Sequence, residues 1–247
     1  MKTFSAFLLE EKQHEKDISS WKSESDSQLG SNPGGVHHDP SGVKHYVKFY
    51  KNPQQARVEV AASKVHEMMG IKTLKPFLVK KNGQVGVATK WQSEVKTKSP
   101  RTFENLTHSQ AHDIAKIHHA AVLTKNWDAV GLEHDNIAFH NKTKKVYFVD
   151  HGGTFEFRAQ GGPKPYGKDI DEVHSLTSGR NEASAHVFNH NFKKYPDVEH
   201  KALDSVRKLD HAKVQVAFRD AGLEDHKARA ETLMARKNLL LKHYGEK

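Results

Sequence analysis

Two short stretches near the middle of the chain decide its fold: residues 126–137 read NWDAVGLEHDNI, and residues 146–153 read VYFVDHGG. The first stretch places an acid and an amide, Asp128 and Asn136, in one loop. The second is an apolar strand that delivers another acid, Asp150, into a pair of glycines. Phosphoryl transfer needs this order, because one acid can orient a hydroxyl nucleophile while the amide and the second acid hold Mg²⁺ on a nucleoside triphosphate.

The order of the surrounding elements strengthens this interpretation, since single acids in loops are usually turn residues or helix caps. A predicted helix over His108–Leu123 leads into the acid–amide loop, and the glycines after Asp150 let the backbone turn tightly beside a bound metal. Upstream, Lys48 lies in a predicted strand and Glu59 lies one turn into the next helix, with Glu67 as the alternative partner of the lysine. A Lys–Glu pair that holds nucleotide phosphates recurs in phosphoryl transfer. The sequence therefore predicts a phosphotransferase site.

Composition restricts the remaining functions. The chain has 247 residues, enough for one domain or two packed lobes with a real core, and it contains no cysteine. Disulfides, thiolate catalysis and cysteine-ligated zinc are therefore excluded. The formal net charge of +9 favours a partner rich in phosphate or carboxylate, without choosing between nucleic acid, an acidic protein and ATP. The apolar run at residues 4–9 is too short for a signal peptide, so we expect a cytoplasmic protein, of the producing cell or of a host cell, with no membrane insertion.

The chain changes from β-rich to α-rich near residues 93–103. In the first part, periodicity and turn residues predict a helix over 4–20, loops with a glycine-rich turn over 22–43, a strand over 43–50, a helix from Pro53 to Gly70, and a hairpin of strands 73–79 and 84–91. In the second part they predict a strand over 146–149 and helices over 108–123, 170–190, 198–221 and 223–243. The predicted fold class is α+β.

In the order and spacing of these residues, the segment 25–195 resembles proteins with the protein-kinase-like fold. The likeness is to divergent bacterial and phage-borne kinases, and more loosely to the HipA-type, actin-fragmin-kinase and phosphatidylinositol-kinase-like branches. The resemblance implies two lobes, a small β-rich N-lobe over residues 1–97 and a larger helical C-lobe over residues 98–247. The chain departs from the usual pattern in lacking a His-Arg-Asp triplet and in having His151 where kinases have phenylalanine.

The resemblance also implies roles in binding ATP and Mg²⁺. Lys48, oriented by Glu59, would contact the α/β-phosphates, and Asp128 would be the catalytic acid. Asn136 and Asp150 would hold the metal. The phosphate-covering loop would consist of Gly30, Gly34 and Gly35. The adenine-binding linker would consist of Lys90, Trp91 and Gln92.

The identity of the catalytic acid stays open between Asp128 and Asp135. Asp128 and Asn136 are 8 residues apart, where kinases commonly have about five. We prefer Asp128, because Asp135 adjoins Asn136 and alternates across the backbone from it. The predicted activity is transfer of the ATP γ-phosphate to a protein hydroxyl. A small-molecule or lipid kinase and a non-catalytic nucleotide-binding protein are the alternatives.

Basic residues suggest where an acceptor would dock. Arg158, Lys164 and Lys168 follow Asp150 and are placed to recognise an acidic peptide or a phosphate. Residues 162–169 have the spacing of a P-loop but lack its final Ser/Thr, so we predict a basic, glycine-rich loop beside the site.

Two other groups of residues are predicted to have no special role. The basic positions of the last helix, Arg236 among them, are predicted to form a solvated face, which makes nucleic acid an unlikely partner because no aromatic platform accompanies them. The histidine pairs, including His118-His119, and the spacing His186-x3-His190 lack a third ligand nearby in sequence. We therefore predict surface histidines there.

Overall fold

The N-terminal part of the protein is built on one mixed sheet. The computed structural model describes residues 15–24, 27–29 and 32–245. Its first strands are β1 (Lys16–Asp17), β2 (Lys22–Ser23), β3 (Gly34–His38), β4 (Lys44–Phe49), β5 (Phe77–Lys81) and β6 (Gln84–Lys90). They lie in the order β1-β5-β6-β4-β3-β2, with β1 parallel to β5 and every other neighbouring pair antiparallel. β4, which carries Lys48, is therefore a central strand held by β3 and β6.

A long helix, α1 (Pro53–Met68), packs against this sheet. Proline at its first position and the Asn52 side chain, which accepts a hydrogen bond from the Gln54 amide, start it. After its last turn Gly70 takes a φ of +74°, a conformation in which glycine has no Cβ penalty. The helix start is thus fixed six residues before Glu59, which is between one and two helical turns.

The C-terminal part combines a small sheet with helices. The sheet has the order β7-β8-β9, with β7 at Val95–Thr97, β8 at Ile137–His140 and β9 at Val146–Phe148. A 3₁₀ helix spans Pro100–Asn105, and the α-helices are α2 (His108–Leu123), α3 (Glu172–Ser175), α4 (Glu182–Lys194), α5 (Val198–Arg207), α6 (His211–Asp220) and α7 (His226–His243). Thr107 and Gln110 form a capping box that starts α2. The loop from α2 to β8 and the turn after β9 contain the two acid stretches.

The largest hydrophobic core joins the two parts. Val65 of α1, Ile117 of α2, Phe148 of β9 and Phe218 of α6 belong to one buried cluster. Because contiguous buried contacts define a shared core, α1 is fixed relative to the C-terminal helices as well as to the sheet. Among the helices in the described part of the chain, none has the length and apolar content needed to cross a bilayer.

The α+β fold class, with a β-rich lobe followed by a helical one, is confirmed. The boundary between residues 97 and 98 stays a prediction. The helix over 4–20 is wrong where it can be compared, since Lys16–Asp17 is a strand beside β5; residues 4–14 lie outside the described residues. The segment 22–43 contains strands β2 and β3, because extended glycines can form a ladder against β4.

Other differences concern element ends and breaks. β5 begins only at Phe77, because Lys75 has a φ of 52° and interrupts the extended chain. The predicted helix 170–190 is broken into α3 and α4, and the helix 198–221 is broken into α5 and α6, where Asp210 caps the second helix by accepting from the Lys213 amide. β7 and β8 were not predicted. None of these changes places Asp128, Asn136 or Asp150 in a helix or strand.

Candidate active site

Three charged side chains from separate elements meet at one point. Lys48 Nζ, on β4, lies 2.9 Å from Glu59 Oε1 of α1 and 3.2 Å from Asp150 Oδ2, just after β9. Glu59 is 1% exposed, whereas the Asp150 side chain is 42% exposed and faces a cavity. The alternative partner Glu67 instead accepts a hydrogen bond from Thr73 Oγ1 at 2.6 Å. The structure thus brings together the lysine, the helix glutamate and the second acid.

The lysine at this junction is held in its charged form. Burial of Lys48 opposes its charge, but the carboxylates of Asp150 and Glu59 outweigh burial and raise the pKa of Lys48 well above its ordinary value. Glu59 gains a second partner that was not predicted, because the Tyr50 hydroxyl donates a hydrogen bond to Glu59 Oε2. Both oxygens of this buried carboxylate are therefore satisfied, as a buried charge requires.

His151 ties the turn after β9 to α1. It is fully buried, and its ring centroid lies 4.7 Å from that of His66 on α1 and 4.8 Å from that of Phe148 on β9. His66 in turn stacks on Phe148 at 4.9 Å. The histidine therefore packs as an aromatic ring, and this cluster fixes the distance between the element that carries Glu59 and the turn that carries Asp150.

The acid–amide loop forms the other side of the site. Asn136 Nδ2 donates to the main-chain oxygen of Asp128 at 2.6 Å and to its Oδ2 at 3.1 Å. The Asp128 amide donates in turn to Asn126 Oδ1 at 2.9 Å. These bonds bring Asp128 and Asn136 together across their 8-residue separation and leave the amide oxygen of Asn136 free of that pairing.

Asp128 and Asp135 differ in their surroundings. Burial raises the pKa of Asp128 to about 6, although the hydrogen bond from Asn136 opposes the shift. Asp135 is exposed, and its Oδ1 would lie only 2.0 Å from a Cβ at Gly131, so the glycine makes room for it. A carboxylate with a pKa near neutrality is suited to accept a proton, which supports Asp128 as the acid of choice.

A cavity of about 340 Å³ lies between these groups. Its lining includes Lys48, Asp128, Asn136 and Asp150, together with Leu29 and Asn32 from the segment between β2 and β3. Carboxylate and amide oxygens are the ligands that Mg²⁺ prefers, so the donor set fits this ion. The lining of the cavity thus combines a cation with oxygen donors, as a metal–triphosphate needs.

Leu29 and Asn32 of the glycine-rich segment line this cavity, whereas two of its glycines have a packing role. A Cβ at Gly34 would lie 2.0 Å from Val47 O, and one at Gly35 would lie 2.7 Å from Ser27 Oγ. On the opposite side of β4, a Cβ at Gly86 would lie 2.3 Å from Lys48 O. Glycines on both flanks thus let neighbouring strands approach the lysine strand closely. Gly30 lies outside the described residues.

The predicted adenine linker is not brought into the cavity lining. Lys90, Trp91 and Gln92 are absent from the described residues that line it. The Trp91 amide donates to Lys44 O at 2.9 Å, and Gln92 O accepts from the Val95 amide at 3.0 Å. Two main-chain groups of the segment are therefore already paired within the protein, and its adenine-binding role stays a prediction.

Two cations and an aromatic ring lie next to the loop that carries Asp128. Trp127 is 36% exposed, with the Arg158 guanidinium 5.0 Å and Lys164 Nζ 5.2 Å from its ring. Lys164 is largely buried and donates to Gly153 O at 2.7 Å. Burial lowers the pKa of Lys164 to about 7. Of the three predicted cations, Arg158 and Lys164 therefore adjoin the Trp127 ring, and of these two only Arg158 is exposed; Lys168 is exposed as well.

The last helix contributes a buried cation, which corrects the prediction of a solvated face. Arg236 is 0% exposed, and its guanidinium donates to Gly167 O at 2.8 Å and to Glu172 Oε2 at 2.5 Å, as well as to Val122 O. Glu172 also accepts a hydrogen bond from Trp127 Nε1 at 2.9 Å. A chain of polar contacts therefore runs from α7 to the residue that precedes the first acid.

Comparison with known proteins bears on the fold. No family model and no curated protein matches the sequence. The structure is similar to that of the proinflammatory kinase CtkA from Helicobacter pylori, with a TM-score of 0.59 and 14% identity over 91% of this chain and 94% of that one. An aminoglycoside phosphotransferase from Alicyclobacillus acidocaldarius has a TM-score of 0.39 at 13% identity, over 90% of this chain and 94% of that one, which is too low to carry an argument.

The likeness to CtkA concerns the arrangement of strands and helices, since identity at this level shows the fold alone. It agrees with the mixed sheet, the single helix behind it and the helical second lobe. The chain has the protein-kinase-like fold.

Proposed function

We propose that this protein is an ATP-dependent kinase that transfers the γ-phosphate to a protein hydroxyl. The observation that carries the proposal is the meeting of Lys48, Glu59 and Asp150 within 3.2 Å at the wall of a cavity that Asp128 and Asn136 also line. An isolated ion pair would be weak support, because ion pairs are common in folds. Here the pair faces a second acid and an acid–amide loop, which together supply the groups that phosphoryl transfer requires.

Each side chain has one task in the proposed reaction. Lys48, held by Glu59, positions the α- and β-phosphates through its charge. Asp128 accepts the proton of the acceptor hydroxyl, whose oxygen forms a bond to the γ-phosphorus while the bond from that phosphorus to the β-phosphate oxygen breaks. ADP leaves with the electron pair of the broken bond. Positioning and fixed charge supply most of the rate enhancement in such a site.

Magnesium fits the remaining oxygen donors. Asp150 and Asn136 would hold Mg²⁺, whose charge offsets that of the β- and γ-phosphates. The hydrogen bonds from Asn136 Nδ2 to Asp128 orient the amide so that its oxygen is available as a ligand. The same bonds hold the proposed base beside the proposed metal ligand.

The acceptor side supports a protein substrate. Trp127 is exposed, and the exposed guanidinium of Arg158 lies 5.0 Å from its ring, so an extended peptide with an acidic group could lie across these two side chains. A small-molecule acceptor is the second candidate. The observation in its favour is a cavity of about 310 Å³ behind Trp127, with Glu172 and Arg180 in its wall.

The decisive experiment follows γ-labelled phosphate from ATP into a cell lysate and maps the phosphosites by mass spectrometry. We expect Mg²⁺-dependent labelling of protein with the wild-type chain. Asp150→Ala should abolish labelling without loss of the folded state, as measured by circular dichroism. Asp150-independent labelling would contradict the proposal, and Mg²⁺-dependent stabilisation by nucleotide without any transfer would support a non-catalytic binding protein instead.

A matched pair of variants distinguishes the two candidate acids. Asp128→Asn should lower kcat by at least about a hundredfold, the usual contribution of general acid–base catalysis. Asp135→Asn removes an acid of the same loop and should retain most of the activity. The reverse result would assign the base to Asp135.

A further inference from the structure

Two buried histidines and a glutamate form a cluster on the side of α2 that faces α5 and the end of α7. His118 and His119 are adjacent on α2 and fully buried, which corrects the prediction that they lie at the surface. One ring nitrogen of each, together with one carboxylate oxygen of Glu199 on α5, lie within 4.8 Å of one another. His118 Nδ1 is 3.8 Å from Glu199 Oε1. The topology therefore supplies the third ligand that the local sequence lacks.

The ring nitrogens of this cluster are not paired by well-formed hydrogen bonds in the part of the chain that the structure describes. All four nitrogens of His118 and His119 are buried, and none makes a hydrogen bond of ordinary geometry within the described residues. Buried polar atoms are nearly always paired, so two adjacent imidazoles with no partner require an explanation. An ion bound by one nitrogen of each ring would supply one.

The distances suit a first-row divalent ion. Zinc binds imidazole nitrogen and carboxylate oxygen at about 2.0–2.2 Å, so tetrahedral ligand atoms lie about 3.3 Å apart. The distance of 3.8 Å from His118 Nδ1 to Glu199 Oε1 exceeds this by about 0.5 Å, and no two of the three ligand atoms are farther apart than 4.8 Å. Two imidazoles and one carboxylate with a fourth position for water form a known zinc ligand set.

The surroundings of the cluster also fit a metal site. The Tyr244 hydroxyl donates to Glu199 Oε1, as outer partners of metal ligands do. The Glu199 side chain is 26% exposed, which leaves an entry for the ion and for water.

We propose that His118, His119 and Glu199 bind one zinc ion, which links α2 to α5. This site is separate from the proposed Mg²⁺ ligands Asn136 and Asp150, which offer oxygen donors only. Its role is to hold helices together, because none of its ligands lines the catalytic cavity among the described residues.

Zinc binding can be measured on the full chain by competition with a chromophoric chelator after treatment with EDTA. We expect one tightly bound Zn²⁺ per chain. His119→Gln and Glu199→Gln should each weaken it by at least about a hundredfold, and Tyr244→Phe by about 10–100-fold, the usual effect of losing an outer partner. Circular dichroism of the metal-free variants checks that they fold.

Matched controls separate this site from other histidines and from the proposed active site. His108→Gln removes an exposed histidine of α2 that pairs with Asp197 before α5 at 2.9 Å, and it should leave affinity unchanged. Asp150→Ala should also leave the zinc affinity unchanged, whether or not the protein is a kinase. Equal losses in His108→Gln and His119→Gln would overturn the proposal.

A second measurement does not depend on any variant. Co²⁺ in place of Zn²⁺ should give the intense visible absorption of a tetrahedral site on the wild-type chain. A weak, octahedral-type spectrum at one equivalent would overturn the proposal even if the variants fail to fold.

Discussion

Replacing Arg236 by methionine tests how strongly α7 supports the residues that precede Asp128. The change keeps an unbranched apolar stem but shortens the side chain and removes the charge and every donor. Glu172, 1% exposed, then loses the partner that lies 2.5 Å away. Removing one member of a buried ion pair costs about 3–5 kcal/mol. Because Trp127 still donates to Glu172 and Lys125 Nζ lies 3.8 Å from it, we expect a loss near the lower end, about 3 kcal/mol.

Urea unfolding followed by circular dichroism measures this loss as a shift in midpoint at constant slope. A thermal scan should show a melting temperature lower by about 6–12 °C, at about 2–4 °C per kcal/mol for a chain of this size. The double variant Arg236→Met/Glu172→Gln removes the unpaired charge and should recover part of the stability, since contacting residues are not additive.

Lys242→Met provides the control, because this lysine is exposed on the same helix. Its effect should stay within about 0.5 kcal/mol, as for most surface substitutions. An Arg236→Met loss as small as that of the control, or a double variant less stable than Arg236→Met alone, would refute the reasoning.

Three further predictions concern the site itself. Gly34→Ala places a Cβ against a main-chain oxygen of the neighbouring strand, so it should lower the melting temperature and raise the KM for ATP, whereas Gly179→Ala, with open space around it, should do neither. Because burial raises the pKa of Asp128 to about 6, this proposed base is protonated below that pH. We therefore expect kcat/KM to fall about tenfold for each pH unit below 6. A fall that begins only near pH 4 would contradict the assignment of the base to Asp128. Tyr50→Phe leaves one oxygen of the Glu59 carboxylate unpaired in a buried position and should cost about 1–3 kcal/mol in urea unfolding; an unchanged midpoint would show that water replaces the hydroxyl.

The parts of the fold that sequence could predict are those with strong local signals. Helices α1 and α2 have caps and apolar periodicity, and both were placed within a few residues. The strand that carries Lys48 alternates clearly, and the two acid loops follow from the residues that flank them. Local chemistry therefore identified the groups that the structure brings together around the cavity.

What could not be predicted depends on contacts distant in sequence. Arg236 looked solvent-facing because arginine seldom lies fully buried, yet Leu233 and Leu240 lie three residues before and four after it on the same buried face. Glu199 lies 80 residues from His119, so no local spacing could connect them. The glycines of β3 suggest turns, so the sequence predicts a loop there. In the structure the same glycines allow β3 to pair closely with β4.

The glycines beside the lysine strand have a consequence for how relatives of this chain would be interpreted. Gly34 and Gly86 pack closely against β4 from opposite sides, and neither position tolerates a Cβ without a shift of main-chain atoms. Selection would therefore preserve both glycines in relatives whether or not those relatives bind nucleotide. The presence of both glycines in an alignment would report the packing of a strand, and only the acids and the lysine would report on the proposed catalysis.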